Sequence, residues 1–323
     1  MRAVVVRTLS EHLSGVELAD MAAPSRNAGQ VSVRVRAASL NFPDLLMTRG
    51  LYQLKPDLPF IPGMDIAGEV ISAAPETGWV PGDAVVGGAR LGGLAEVAVL
   101  DADAVRRKPD NLSFAQAAAF GAAYLTACVA LVRRARLRPG EWLLVHGASG
   151  GVGLAALDLG RALGARVIAA SGSAGKLAVI AREYEPDATV VSAPGFRDEV
   201  KAITGGGADV IYDPVGGDAF DESTRCIAFD GRLLVVGFAS GRIPTVAANI
   251  PLIKGFSVIG VRAGEYGRRF PERGRENLDM VWTMAAEGRL RPRVCAELPL
   301  DRWREAFEMM AARQLVGKVV LVP

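Results

Sequence analysis

The sequence predicts an α/β protein built from a doubly wound parallel sheet and a second, mainly antiparallel β domain. Three observations point there. Its 323 residues exceed what one hydrophobic core usually fills. Its pattern changes near residue 120, from short β-like runs separated by Gly and Pro to an alternation of strands with helix-length segments. A glycine-rich turn, Gly147–Gly153, joins the first strand of the alternating part to its first helix.

In chain order, the first part offers strand-like runs at Ala3–Arg7, Gln30–Ala38, Asp65–Ala73, Ala84–Gly87 and Ala95–Leu100, with Pro81-Gly82-Asp83 as a tight turn. From about Leu137 the runs are Trp142–His146, Arg166–Ala170, Thr189–Ser192, Asp209–Tyr212, Leu233–Gly237 and Ser257–Val261. Helical segments such as Gly151–Leu163 and Ser173–Tyr184 separate most of them, which implies crossovers between parallel strands. Six strands match a complete dinucleotide-binding sheet. Helical stretches around Glu276–Glu287 and Trp303–Arg313 and a last strand, Lys318–Val322, follow. With the parallel sheet already complete, this tail is expected to return to the first domain. The expected division is 1–120 with 265–323 as one domain and 121–264 as the other.

Half the residues are apolar and 22% are charged, enough for a sizeable core. The net charge of +2 offers no general attraction to nucleic acid or an anionic membrane, and no interleaving of aromatic and basic residues suits single strands. The basic clusters Arg133–Arg138 and Arg268–Arg275 have acidic or apolar neighbours and read as solvated faces. Phe114–Val132 is long enough to cross a bilayer without a charge, but Gln116, Gly121, Tyr124 and Thr126 favour a buried helical segment. Cys128, Cys226 and Cys295 lie far apart, without zinc-knuckle or CxxC spacing, and read as structural thiols in a reducing compartment. The start, Met1–Arg7, meets a charge too early to be a signal peptide. A cytoplasmic protein is expected.

The turn carries the chemistry. Trp142–His146 reads as a buried strand, and Ala148-x-Gly150-x-x-Gly153 leads into a helix with apolar Leu154, Leu157 and Leu163. A pyrophosphate needs free backbone N–H groups and the positive end of a helix dipole. The small residues Ala148, Ser149, Gly150, Gly151, Val152 and Gly153 allow the backbone to come close, with Ala148 in place of the usual first glycine. The second strand should then end in an acid if the adenosine ribose hydroxyls are to be held. Here it reads Ala169-Ala170-Ser171-Gly172-Ser173-Ala174-Gly175-Lys176, with no carboxylate. Ser171, Ser173 and Lys176 suit a 2′-phosphate, so NADPH is expected over NADH; Lys176 as a plain solvated helix residue is the other reading.

Together with this turn, Ala38–Asp44, Gly50–Tyr52, Gly63–Val70, Pro81–Asp83, Gly93–Glu96, Tyr212–Gly217 and Val236–Phe238 resemble the medium-chain dehydrogenase/reductase superfamily over nearly the whole chain. The resemblance is to its zinc-independent quinone oxidoreductase, or zeta-crystallin-like, branch. It implies a GroES-like β domain, a Rossmann domain and a homodimer formed through the Rossmann sheets. A catalytic zinc needs about three Cys, His or carboxylate ligands. Where zinc-dependent relatives place His after a glycine, this chain has Gly63-Met64; their earlier Cys is matched by Asn41, and neither His12 nor His146 fits a ligand pattern.

The resemblance further implies hydride transfer from NADPH to a quinone or an α,β-unsaturated carbonyl compound, one-electron quinone reduction being open beside it. It places Asn41, Asp44 and Tyr52 beside the nicotinamide, Asn41 orienting cofactor or substrate and Tyr52 donating to the substrate oxygen. Asp44 reads equally as a buried structural partner, and Leu46 stands where many relatives have a second tyrosine. Thr126, Gly237 and Phe238 match cofactor-facing positions, although a Gly-Phe pair also suits a strand end packed in the core. Arg262 and Lys318 match late positions that contact cofactor phosphates or the cleft, a surface role being as open for each. Two alternatives stand: an enoyl-thioester reductase, with Arg268–Arg275 as a basic entrance for CoA phosphates, and an NADPH-binding redox-sensing or structural protein with little turnover.

Overall fold

The computed structural model describes residues 1–323, which form two compact units, Met1–Ala122 with Pro292–Pro323, and Ala123–Arg291. The chain opens with β1 (Arg2–Val6), β2 (Val16–Asp20), β3 (Gln30–Ser39), α1 (Phe42–Thr48), β4 (Asp65–Ala73), β5 (Ala84–Gly88), β6 (Val97–Asp101), β7 (Val105–Arg107) and α2 (Phe114–Ala118). It continues with α3 (Gly121–Cys128), β8 (Trp142–Val145), α4 (Gly151–Ala162), β9 (Arg166–Ser171), α5 (Ala174–Tyr184), β10 (Ala188–Val191), α6 (Phe196–Thr204), β11 (Ala208–Asp213) and α7 (Gly217–Cys226). Then come β12 (Ile227–Val235), α8 (Asn249–Lys254), β13 (Ser257–Gly260), α9 (Ala263–Arg269), α10 (Pro271–Ala286), β14 (Val294–Pro299), α11 (Trp303–Ala311) and β15 (Lys318–Val322).

In the first unit β3 is the central strand. Val31, Val33, Val35 and Ala37 point inward while the residues between them stay accessible, the period-two pattern of a sheet with one buried face. It pairs antiparallel with β4, β6 and β15, and β14 adds to β15 in parallel. Helix α11 closes this core with Trp303, Ala306 and Phe307, spaced to share one helical face.

The second unit is a six-stranded, all-parallel sheet in the order β10-β9-β8-β11-β12-β13. Its inner strands β8, β9 and β11 are buried almost continuously, as expected of strands covered by helices on both faces. The order places the start of the sheet, β8, at the point where the winding reverses.

Two features depart from the sequence reading. Residues 265–291 stay with the parallel-sheet unit rather than returning to the first. Arg133 explains part of that: it is not a solvated residue but binds Asn277 Oδ1 at 2.6 Å and Glu276 at 2.7 Å, tying the π-helical turn Val129–Ala135 to α10. Strands β2, β7 and β14 carry charges or are very short, so no alternation marks them. Phe114–Val132, by contrast, is a mostly buried helical segment as expected, made of α2, α3 and the π turn, and no helix is long and apolar enough to cross a membrane.

Candidate active site

In the parallel-sheet unit, β8 runs into Gly147, whose φ of +56° is left-handed. The positive-φ glycine therefore sits one residue before Ala148, which removes the need for glycine at the first motif position. Ala148 is buried, and its N–H donates to Ala170 O at 3.0 Å, docking the turn onto β9. Gly150 N–H closes the turn on Gly147 O at 2.9 Å and caps α4. The N–H groups of Gly151, Val152 and Gly153 lie in the first turn of that helix, where no intrahelical acceptor exists. A Cβ at Gly153 would lie 2.2 Å from Gly147 O, so close helix–strand packing requires that glycine. A Cβ at Gly150 would meet only Gly147 O, at 3.4 Å, so internal packing does not explain it. Ser149 is buried. The result is a cradle of N–H donors at the positive end of a helix, suited to a bound anion.

Ser171 ends β9 and is buried. Ser173 caps α5, its Oγ accepting Lys176 N–H at 3.4 Å, which leaves the hydroxyl proton free to donate. Lys176 is half-buried in the first turn of α5, and Thr126 is half-buried in α3. Gly237 follows β12, and Phe238 is 39% exposed, so this pair is not a strand end packed in the core. Arg262 is exposed at the start of α9.

The other predicted residues gather in the first unit. Asn41 precedes α1 and is buried. Its Oδ1 accepts from Lys318 Nζ at 2.6 Å, and its Nδ2 donates to Asp65 Oδ2 at 2.9 Å. Sheet register makes this meeting. Val320 lies opposite Ser39 and Leu40 N–H binds Val319 O at 3.1 Å, which brings Lys318 beside Asn41; Asp65 lies opposite Ser39 on β4. The second oxygen of Asp65 accepts Ala122 N–H at 3.1 Å, and a Cβ on Gly121 would fall 2.6 Å from it.

Asp44 is fully buried, with Oδ2 accepting from Asn41 N–H at 2.8 Å and Oδ1 from Gly63 N–H at 2.9 Å. Of its two readings, the geometry favours the structural one: it clamps the Asn41 loop to the Gly63 turn. Burial pushes its carboxyl up to about 6 despite those donors and the nearby Lys318 charge. Burial likewise raises Asp65 against the pull of Lys318 and Asn41, and lowers Lys318 against the pull of Asp65 and Asp44. Lys318 is thus not a surface residue, and its ammonium is engaged by Asn41. Tyr52 is half-buried and its hydroxyl has no hydrogen-bond partner within the chain.

Asp65 was missed by the sequence reading. Its signal was a carboxylate directly before the apolar run Ile66-Ala67-Gly68, where a charge needs a partner. No group of three or more His, Cys, Asp or Glu side chains is gathered as a metal ligand set. The position beside Asn41 is held instead by an ammonium, so the residues present do not fit a zinc ion.

Two family models match the chain, an alcohol dehydrogenase GroES-like domain over residues 27–110 and a zinc-binding dehydrogenase over residues 151–282. The chain is 41% identical over 298 residues to the quinone oxidoreductase-like protein 2 homolog of Nematostella vectensis, spanning 90% of this chain and 81% of that protein. It resembles the solved structure of a probable oxidoreductase from Mycobacterium abscessus, with 36% identity, a TM-score of 0.91 and coverage of 100% and 99% of the two chains. It also resembles the quinone oxidoreductase of Thermus thermophilus, solved alone and with NADPH, with 33% identity, a TM-score of 0.87 and full coverage of both. With this fold, these motifs and these relatives, the chain belongs to the quinone oxidoreductase-like branch of the medium-chain dehydrogenase/reductase superfamily.

Proposed function

We propose that this protein is an NADPH-dependent oxidoreductase that reduces a quinone or an α,β-unsaturated ketone or aldehyde without zinc. The observation that carries the reading is an N–H cradle followed by an acid-free strand end at Ser171–Lys176, in a chain that also holds a charge-polarised amide at Asn41. Backbone groups from Ala148 to Gly153 would hold the pyrophosphate, and Ser171, Ser173 and Lys176 would hold the 2′-phosphate. Thr126, Gly237, Phe238 and Arg262 would face the rest of the cofactor.

The bound dihydronicotinamide supplies a hydride. The protein's part is to hold the acceptor and stabilise negative charge on its oxygen. Asn41 Nδ2 keeps one N–H after its bond to Asp65, and a preorganised donor of this kind contributes about 3 kcal/mol in a dry site. Tyr52, with its free hydroxyl, donates the proton that completes the reduction. The protein is read as a homodimer through the parallel sheet, because the edge strand β13 leaves Val258 accessible near exposed Leu252 and Ile253 of α8.

A steady-state screen tests the reading, with NADPH and NADH against quinones, enones and enoyl-CoA esters. Turnover of quinones or enones with NADPH preferred is expected. Turnover of enoyl-CoA esters alone would make the protein a thioester reductase, and tight NADPH binding with no acceptor reduced would make it a non-enzymatic binder.

A further inference from the structure

Lys318 is a lysine buried in the core of the first unit, and the hydrogen bond its ammonium makes is to a neutral amide, Asn41 Oδ1 at 2.6 Å. Burying an ammonium is costly, and the cost is offset only by hydrogen bonds and nearby opposite charges. Two carboxylates face it, Asp65 from β4 and Asp44 from α1, and the half-buried thiol of Cys295 on β14 donates to the backbone carbonyl of Lys318 at 3.1 Å. Neither carboxylate is paired to it directly. Asp65 reaches the other end of the same amide, and Asp44 binds the Asn41 backbone.

An asparagine amide can be turned end for end at little cost in shape, exchanging a donor for an acceptor. Here that freedom is gone. An ammonium only donates and a carboxylate only accepts, so Oδ1 must face Lys318 and Nδ2 must face Asp65. The opposite orientation would set N–H against N–H and oxygen against oxygen. The cation at Oδ1 also draws charge from the amide and strengthens the Nδ2–H not taken by Asp65.

We infer that Lys318 and Asp65 are positioning residues, which set the orientation of the Asn41 amide and leave one Nδ2–H as the donor for the oxygen of the acceptor. This rests on the reading above and replaces the assignment of Lys318 to the cofactor phosphates. The acceptor held this way must present a hydrogen-bond-accepting oxygen to that N–H.

The test compares Lys318→Met, Lys318→Arg, Asp65→Asn, Asn41→Ala and the double variant Asn41→Ala/Lys318→Met. Lys318→Met is expected to lower kcat by about 10- to 100-fold, part of what loss of a whole donor costs, with the NADPH Kd changed by less than about threefold. Lys318→Arg, which keeps a donor to Oδ1, should recover most of it. The double variant should be no slower than Asn41→Ala alone, because residues acting through one group are not additive. A large loss of NADPH affinity with kcat intact, or independent effects that multiply, would overturn the proposal.

A second measurement uses the wild-type protein without cofactor or turnover. Among its five asparagines, selectively labelled with ¹⁵N in the side chain, Asn41 should show one Nδ2 proton in slow exchange and one in fast exchange. Two equally exchanging protons would defeat the assignment even if a Lys318 variant failed to fold. If the wild type reduces no acceptor while the Asn41 signature is present, the proposed activity fails and the positioning of the amide stands.

Discussion

The carbonyl oxygen of Gly147 occupies the space that a side chain at Gly153 would need: a Cβ there would lie 2.2 Å from it and 2.8 Å from the carbonyl carbon. Both atoms belong to backbone, which cannot swing aside as a flexible side chain can. Gly153→Ala is therefore expected to push α4 off the turn, destabilising the protein by roughly 1–3 kcal/mol and weakening NADPH binding at least tenfold. Thermal unfolding with and without NADPH measures both. Gly150→Ala separates the two effects, since its Cβ would make only an ordinary contact within the protein. It should leave the apo melting temperature nearly unchanged while still lowering affinity.

Lys176 stands in the first turn of α5, next to the Ser173 cap and beyond an acid-free strand end. Lys176→Ala should lower the ratio of kcat/KM for NADPH to that for NADH by about tenfold, the loss of one charge-assisted contact. An unchanged ratio would return Lys176 to the role of a solvated helix residue.

Asp44 makes the first unit sensitive to pH. Its folded pKa, pushed up to about 6, exceeds its ordinary value of 3.8, so the folded state binds more protons between those values. Stability from this group is fully present below about pH 4 and is lost as pH rises through 6. The total is roughly 3 kcal/mol. Asp44→Asn removes the titration but loses one N–H acceptor. The stability of the wild type minus that of the variant, from denaturant unfolding at pH 4 to 8, should decline across this window. A flat difference would mean that the two N–H donors and Lys318 fully compensate ionisation.

The exposed apolar residues near the β13 edge predict self-association. Leu252 is 80% exposed and Ile253 is 73% exposed, and adjacent exposed apolar side chains form the kind of patch that a partner covers. Leu252→Glu with Ile253→Glu should convert a dimer to a monomer at micromolar concentration, read by sedimentation velocity, with little change in secondary structure. A monomeric wild type would dismiss the interface.

Much of the fold was legible because it is written in local patterns. Period-two burial in β3, the strand–turn–helix at Gly147–Gly153 and the alternation from β8 to β13 each repeat over a few residues. The strands that escaped notice, β2, β7 and β14, are held by their sheet partners rather than by their own composition. That the parallel-sheet unit extends to Arg291 is not legible for a similar reason. Bonds from Arg133 to Asn277 and Glu276 span more than 140 positions, and no local pattern announces them.

By itself the sequence determined the α/β class, the dinucleotide turn and the acid-free strand end, because all three depend on neighbouring residues and on backbone chemistry that glycine and carboxylate content reveal. Only the tertiary structure decided that Lys318, 277 residues from Asn41, places its ammonium on that amide while Asp65 holds the other end. The physical reason is register. The antiparallel pairing of β15 and β4 with β3 sets which side chains meet, and a shift of one residue would send Lys318 to the opposite face of the sheet.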